Sequence, residues 1–247
     1  MNYGQNFYEK QRAGSLSSAK AVVPVIVDQV APHSVVDVGC GLGTWLTVFR
    51  ELGVSDVLGL DGDYVPQDMR MIPPEQFKSV DLSKPVSLAR AFDLAISIEV
   101  GEHLPESAAE TFVESLTRMA PVVVFAAAVP LQGGTNHVNE QWPAYWARLF
   151  GKHGCVTVDA IRPQIWNNDR VEPFYRQNLL VFVKESALQK YPLLEQSRHS
   201  TRDEMLSVVH PKVFIGRNSY PLAPVSHLAA WTLRLACGRL KQWFSAR

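Results

Sequence analysis

The stretch Glu99-Val100-Gly101-Glu102-His103 places two carboxylates and an imidazole within five residues, and His137 follows in a Gly-Gly-Thr-Asn-His loop. Side chains of these types can take a proton from a reacting group near neutral pH. Two glutamates and two histidines are equally a ligand set for a divalent metal. An α-helix beginning at about Glu99 would put Glu99, Glu102 and His103 on one face. A second concentration lies upstream, Asp37-x-Gly39-x-Gly41-x-Gly43, directly after an apolar run. Each glycine costs roughly 0.5–1 kcal/mol relative to alanine in a regular element. Three in five positions therefore call for a tight strand-to-helix turn or a ligand lying against the main chain. Asp61 and Asp81 close two further apolar runs, where a carboxylate can accept hydrogen bonds from ribose hydroxyls or face an exocyclic amine.

The elements that must position these groups follow from the apolar pattern. Strands are expected at 34–38, 56–60, 77–80, 92–98, 121–129, 155–161 and 178–183, and helices at 44–52, 106–119 and 141–154. Continuous apolar strands alternating with helices indicate a mostly parallel sheet covered on both faces. In the 106–119 helix, Ala109, Phe112, Val113 and Leu116 share one face. Ser17 or Ser18 is expected to cap a helix ending near Val30. Tyr3, Phe7 and Tyr8 would form either a lid over a bound ligand or a frayed terminus.

In such sheets ligands bind beyond the carboxyl ends of the strands, which is where the three glycines, Asp61 and Asp81 fall. Their coincidence points to a nucleoside ligand. The loop is not a dinucleotide fingerprint, because Thr44 or Leu46 stands where GxGxxG needs its third glycine. It is not a P-loop either, since no Gly-Lys-Ser/Thr follows.

Taken together, "VVDVGCGLGTWL", "VLGLDGDYV", "VDLSKP" and "FDLAISIEVGEHLPE" resemble the class I S-adenosylmethionine-dependent methyltransferases over residues 34–184. "NEQWPAYWARLF" and "IWNNDRVEPFYRQN" resemble stretches in bacterial methyltransferases of the Methyltransf_23-like kind, some of them encoded amid cell-surface glycan genes. The class I resemblance implies a Rossmann-like α/β fold whose seven-stranded sheet ends in an antiparallel hairpin. It implies S-adenosylmethionine as cofactor, bound by Asp37, Gly39, Cys40, Gly41, Gly43, Asp61, Gly62, Asp81, Leu82 and Glu99. The glycines would leave space for the methionine part, Asp37 would lie near its amino group, Asp61 would hold the ribose and Asp81 the adenine amine. His137, His103 and Glu99 are the candidates for the chemistry. The leading expectation is methyl transfer to a hydroxyl of a small molecule or glycan, with no resident metal. Two other readings stand beside it. The RNA 3′-end 2′-O-methyltransferases of the Hen family share a Glu-x-x-Glu-His cluster and a later histidine, which Glu99, Glu102, His103 and His137 could match as metal ligands, although a His-x-His pattern is missing. A non-catalytic cofactor-binding module is the third. "SIEV" stands where amide- and adenine-methylating relatives carry a polar residue and Pro-Pro-aromatic. Trp166, Tyr175 and Arg176 would suit a polyol face or, alternatively, a rigid hairpin.

The 247 residues divide into an N-terminal lid or helix (1–33), the methyltransferase domain (34–184) and a basic extension (185–247). Lys plus Arg and Asp plus Glu are equal at 24 each, so nucleic acid is not an expected partner. Three scattered cysteines, no signal pattern in "MNYGQNFYEKQ" and no apolar run of membrane-spanning length predict a cytoplasmic protein. From Met205 to Arg247 there is no acid, against six basic residues. Within it, 226–247 carries Ala229, Leu233, Ala236, Leu240 and Trp243 on one helical stripe, after a stiff "YPLAP". Such a helix would lie on the inner membrane surface, dock on the protein itself or pair with a second copy.

Overall fold

The computed structural model describes residues 5–218, with side chains described for 14–216. Seven strands form one sheet: β1 (Ser34–Val38), β2 (Asp56–Asp61), β3 (Phe77–Ser79), β4 (Leu94–Ile98), β5 (Val122–Ala126), β6 (Cys155–Val158) and β7 (Leu180–Lys184). Their order is β3-β2-β1-β4-β5-β7-β6. The first five run parallel, and β7 pairs antiparallel with both β5 and β6. This is the seven-stranded Rossmann-like sheet expected from the sequence, with its antiparallel last hairpin. The strand order reverses between β1 and β4, and there the carboxyl ends of the strands leave a crevice.

The strands read as continuous apolar runs because both faces are covered. Alternate side chains of β5 sort to opposite sides: Val122, Val124 and Ala126 to one core, Val123 and Phe125 to the other. The first core takes Val22, Val23 and Ile26 of α1 (Gln5–Val30) and Trp45, Leu46 and Phe49 of α2 (Thr44–Glu51). It also takes Ile165 of α5 (Arg162–Ile165), Tyr175 of α6 (Pro173–Asn178) and Leu194 of α7 (Pro192–Ser200). The second core is filled from α3 (Ala109–Met119) and α4 (Pro143–Lys152), with Phe150 stacked on Phe182 at 3.8 Å between ring centroids.

Ser17 and Ser18 do not start a helix. Both lie well inside α1, and their hydroxyls are used in packing: Ser17 donates to Arg170 O (2.8 Å), while Ser18 accepts from Glu172 N (3.0 Å). Tyr3 lies outside the described residues, as do the side chains of Phe7 and Tyr8. After β7 the compact unit continues through His210, with Leu194, Leu206 and His210 buried in it. The last helix among the described residues, α8 (Pro211–Asn218), belongs to a separate unit. The amphipathic stripe expected over 226–247 lies outside the described residues. Among the described residues, no helix is long and apolar enough to cross a membrane.

Candidate active site

After β1 the chain turns through Gly39, Gly41 and Gly43, all in the left-handed region (φ 89°, 52° and 79°) that glycine adopts without strain. The three are not equivalent. A Cβ on Gly39 would collide with the side chain of Val100, and one on Gly43 would sit 2.9 Å from Ile72. A Cβ on Gly41 would meet nothing within 4 Å. The space at Gly39 and Gly43 is thus filled by the protein's own side chains, and the loop leaves open room only at Gly41.

Gly39 and Gly41 line a cavity of about 670 Å³ at the switch point, within the ~300–1,000 Å³ range of small-molecule sites. Asp61, Gly62, Asp81, Leu82, Glu99 and His103 also line it. Asp37, Cys40, Gly43 and His137 are not on that lining. Asp61 sits at the centre of the cofactor side. Its Oδ2 accepts from Gly41 N (2.7 Å), and its Oδ1 accepts from Gly62 N (2.7 Å) and the Tyr64 hydroxyl (2.6 Å). Asp81 accepts from the Ser83 hydroxyl and backbone and pairs with Lys84, which lowers its carboxyl to about 2. Asp37 is buried behind the loop with Oδ2 unpartnered. Burial first, and Asp61 second, hold its carboxyl well above the usual carboxylate range. Cys40 is buried as well, and burial pushes its thiol up.

The other side is built from the end of β4 and the loop between β5 and α4. Glu99 does not begin an α-helix. Its backbone is left-handed (φ 57°), and a short 3-10 turn, Gly101–His103, follows. A non-glycine residue held there is a local strain that its surroundings must enforce. Two carboxamides do so: Gln132 donates to Glu99 Oε2 (2.8 Å) and Asn178 to Oε1 (3.0 Å). Burial raises the Glu99 carboxyl. Glu102 is fully buried, and no donor meets hydrogen-bond geometry at either of its oxygens. Burial, and then Glu99, raise its carboxyl well above the ordinary range. The loop folds back on this turn, Val138 N and Asn139 N donating to Glu102 O (2.9 and 3.0 Å). That brings His137 edge-on to His103, with ring centroids 4.9 Å apart. Burial, followed by His137, lowers His103, whose Nδ1 is buried without a partner.

Glu102, His103 and His137 offer one ligand atom each, all within 4.8 Å of one another. Glu99, the fourth member of the set expected from sequence, is outside that group. Trp166, Tyr175 and Arg176 do not line the cavity. Tyr175 is buried edge-on to Trp45, and Arg176 is buried against Trp166 O and Asp169, so these two side chains stiffen the hairpin rather than face an acceptor. Sequence reasoning passed over Gln132, Glu140 and Asn178, which hold Glu99 and His137.

The family model described as "Methyltransferase domain" matches residues 8–169, more than half of the chain. The chain belongs to that family. It is an S-adenosylmethionine-dependent methyltransferase, with a cavity at the crevice where the fold places such a ligand. No curated protein is similar enough in sequence to count as a relative. Solved structures share the fold at low identity. The sugar N-methyltransferase KedS8 from Streptoalloteichus sp ATCC 53650 is 14% identical with a TM-score of 0.58, covering 74% of this chain and 94% of its own. The magnesium protoporphyrin IX methyltransferase ChlM from Synechocystis PCC 6803, solved with bound SAM, is 18% identical with a TM-score of 0.52, covering 75% and 87%. The methyltransferase domain of bacterial CtHen1-C is also 18% identical, with a TM-score of 0.51, covering 68% and 98%.

Proposed function

We propose that this methyltransferase acts on a hydroxyl of a small polyol or glycan. The observation that carries the reading is the group of buried Glu102 with half-buried His103 and His137, set beside the cofactor cavity. When bound, S-adenosylmethionine supplies an electrophilic methyl group on sulfur. The residues present fit it. Gly41 leaves bare backbone, Asp37 keeps an unpartnered buried oxygen suited to the methionine amino group, and Asp61 brings a carboxylate to the lining. A hydroxyl, unlike a neutral amine, must lose a proton as it is methylated, which is why a cluster of bases favours oxygen. His103 is kept neutral by burial, and His137 stands next to it, so an imidazole is available to take that proton. The sugar N-methyltransferase among the structural neighbours supports a sugar-like acceptor, and the balanced charge gives no reason to prefer nucleic acid.

The test is a turnover screen over sugar nucleotides, lipid-linked glycans and short RNAs, with wild type and His137→Ala. Methyl transfer to a sugar hydroxyl is expected, falling about a hundredfold or more in His137→Ala with affinity for S-adenosylhomocysteine unchanged. Product binding without turnover of any acceptor would favour a non-catalytic binding module instead.

A second reading has its own observation. Glu102 has two unanswered oxygens and His103 an unanswered Nδ1, both buried, and such groups are costly unless a proton or cation meets them. Glu102, His103 and His137 would hold a divalent metal, a mixed N/O donor set suited to it. The metal would supply a Lewis acid that makes an acceptor hydroxyl more acidic. Such a site favours a metal-dependent RNA 2′-O-methyltransferase. Turnover lost to a chelator and restored by a divalent ion would put this reading in place of the first.

A further inference from the structure

The loop between β5 and α4 has an organising centre that neither reading uses, the carboxylate of Glu140. Its Oε2 accepts from Leu131 N (2.8 Å), and its Oε1 accepts from Gly133 N (2.5 Å) and meets His137 Nδ1 at 2.9 Å. Leu131, Gly133 and Asn136 all have left-handed backbones (φ 68°, 62° and 61°). Two of these are not glycine, so the loop holds a shape that must be tied down from outside the local chain. Glu140 ties both of its ends. The far end of the His137 ring, Nε2 with Cε1 and Cδ2 on either side, lies against Gly134, where a Cβ would collide with it. The His103 ring closes a third side at 4.9 Å, perpendicular to the first.

We propose that Glu140 is the positioning residue for His137: it keeps the imidazole proton on Nδ1 and so presents Nε2 with its lone pair bare. A carboxylate offers only acceptors, so the nitrogen facing it must be the one that carries the proton. The other nitrogen then keeps its lone pair, as in the carboxylate–histidine pairs that orient metal and catalytic imidazoles. Gly134 contributes by absence, since a side chain there would push the ring off Glu140. The inference deepens the proposed function, resting on the same site, but its test needs neither acceptor nor cofactor.

The experiment is side-chain 15N–1H correlation of His137 in the full chain at about pH 8.5, some two units above the ordinary imidazole value of ~6.5. Comparison with His137→Ala assigns its signals among the seven histidines. Wild type should show the Nδ1–H tautomer in about tenfold excess or more, as a hydrogen bond to a charged acceptor maintains. Glu140→Ala should lose that excess in favour of Nε2–H. Glu140→Gln should retain Nδ1–H, because two donors converge on the Oε1 position and only the exposed Leu131 N–H on the other, which places the amide oxygen toward His137. A wild-type Nε2–H tautomer overturns the proposal. So does an identical change in Glu140→Ala and Glu140→Gln, which would mean that loop disorder, not the acceptor on Nδ1, moves the proton. Affinity for S-adenosylhomocysteine should stay within about twofold in both variants, since neither substitution touches the cavity lining. Loss of product binding in wild type would sink the proposed function while leaving the tautomer result standing.

Discussion

The two halves of the cavity treat their polar groups in opposite ways. On the β1–β3 side, Asp61 has three donors from its own chain and Asp81 has Ser83 and Lys84. On the β4–β5 side Glu99 is answered by Gln132 and Asn178, but beside it Glu102 has no donor in hydrogen-bond geometry at either oxygen and His103 has no partner at Nδ1. The first half is a surface completed by backbone and short turns, and a ligand there must exchange with contacts already made. The second holds a buried carboxylate, Glu102, and two half-buried imidazoles that keep polar atoms without a hydrogen-bond partner, where a proton or cation would be gained. Asp37 is the exception on the first side, buried with one oxygen unanswered. It marks the one place where the cofactor side also waits for a charge.

The largest effect that tests this contrast is expected at the glycine loop. Gly41→Val should lower cofactor affinity about a hundredfold or more, because its side chain would enter the open cavity, beyond the loss of stability that a β-branched residue at φ 52° brings. Gly43→Ala should act on stability instead, costing ~1–3 kcal/mol as Ile72 is pushed aside and a Cβ is forced into the left-handed region. Calorimetry with S-adenosylhomocysteine and thermal melts read the two apart. Equal losses of affinity in both variants would show that the glycines act as one unit, against the division drawn from their surroundings.

A smaller effect is expected at Asp37. Its carboxyl is raised, so the folded chain keeps that proton to higher pH than the unfolded chain does. The stability this contributes is therefore full below the unfolded value of ~3.9 and is lost as pH rises through the folded value. Asn cannot ionise, so Asp37→Asn should melt above wild type at pH 7.5, with the gap closing toward pH 4. The same variant should bind cofactor at least about tenfold more weakly, because an amide cannot ionise to meet the methionine ammonium. A variant that melts lower at pH 7.5, or binds normally, would mean that Asp37 is only a packing residue.

The same division explains what the sequence could reveal. Strand ends at Val38 and Asp61 follow from short apolar runs, and a glycine or aspartate just beyond such a run has few places to go. The sheet and most of the cofactor side were legible for that reason. The chemistry side was not, because its geometry comes from long-range contacts. Asn178 reaches Glu99 from 79 residues away and Gln132 from 33. Neither carries a local pattern that marks it as the keeper of a carboxylate. The helix expected from Glu99 failed for the same reason: those two amides and the backbone bond from Glu99 N to Ala126 O (2.8 Å) hold a left-handed residue that local propensity would not choose. Glu140, three residues after His137, was the one signal within reach, since that spacing can bring a carboxylate to an imidazole nitrogen in a turn. The hydroxyls of Ser17 and Ser18 misled in the other direction, because serines inside a long helix that bond to a neighbouring segment look, in sequence, like caps.

The smallest effect expected is at Tyr64. Its hydroxyl donates to Asp61 Oδ1, the oxygen that also takes Gly62 N, while its ring lies over Gly62. If Asp61 receives ribose hydroxyls, the phenol occupies one of the acceptor positions the ribose needs, and binding must first break that bond. Tyr64→Phe keeps the ring and removes the competitor, so cofactor affinity should rise about two- to fivefold, a fraction of one charge-assisted hydrogen bond because water takes up part of the freed position. Asp61→Ala, which removes the acceptor altogether, should move affinity the other way by about tenfold or more. The pair of variants tests the idea that ligands on this side displace contacts already made. A loss of affinity in Tyr64→Phe would overturn it, because the hydroxyl would then be a contact to the cofactor and not a stand-in for one. In that case Asp61 and Tyr64 would act together as a preformed ribose clamp, and the difference between the two halves would lie in rigidity alone.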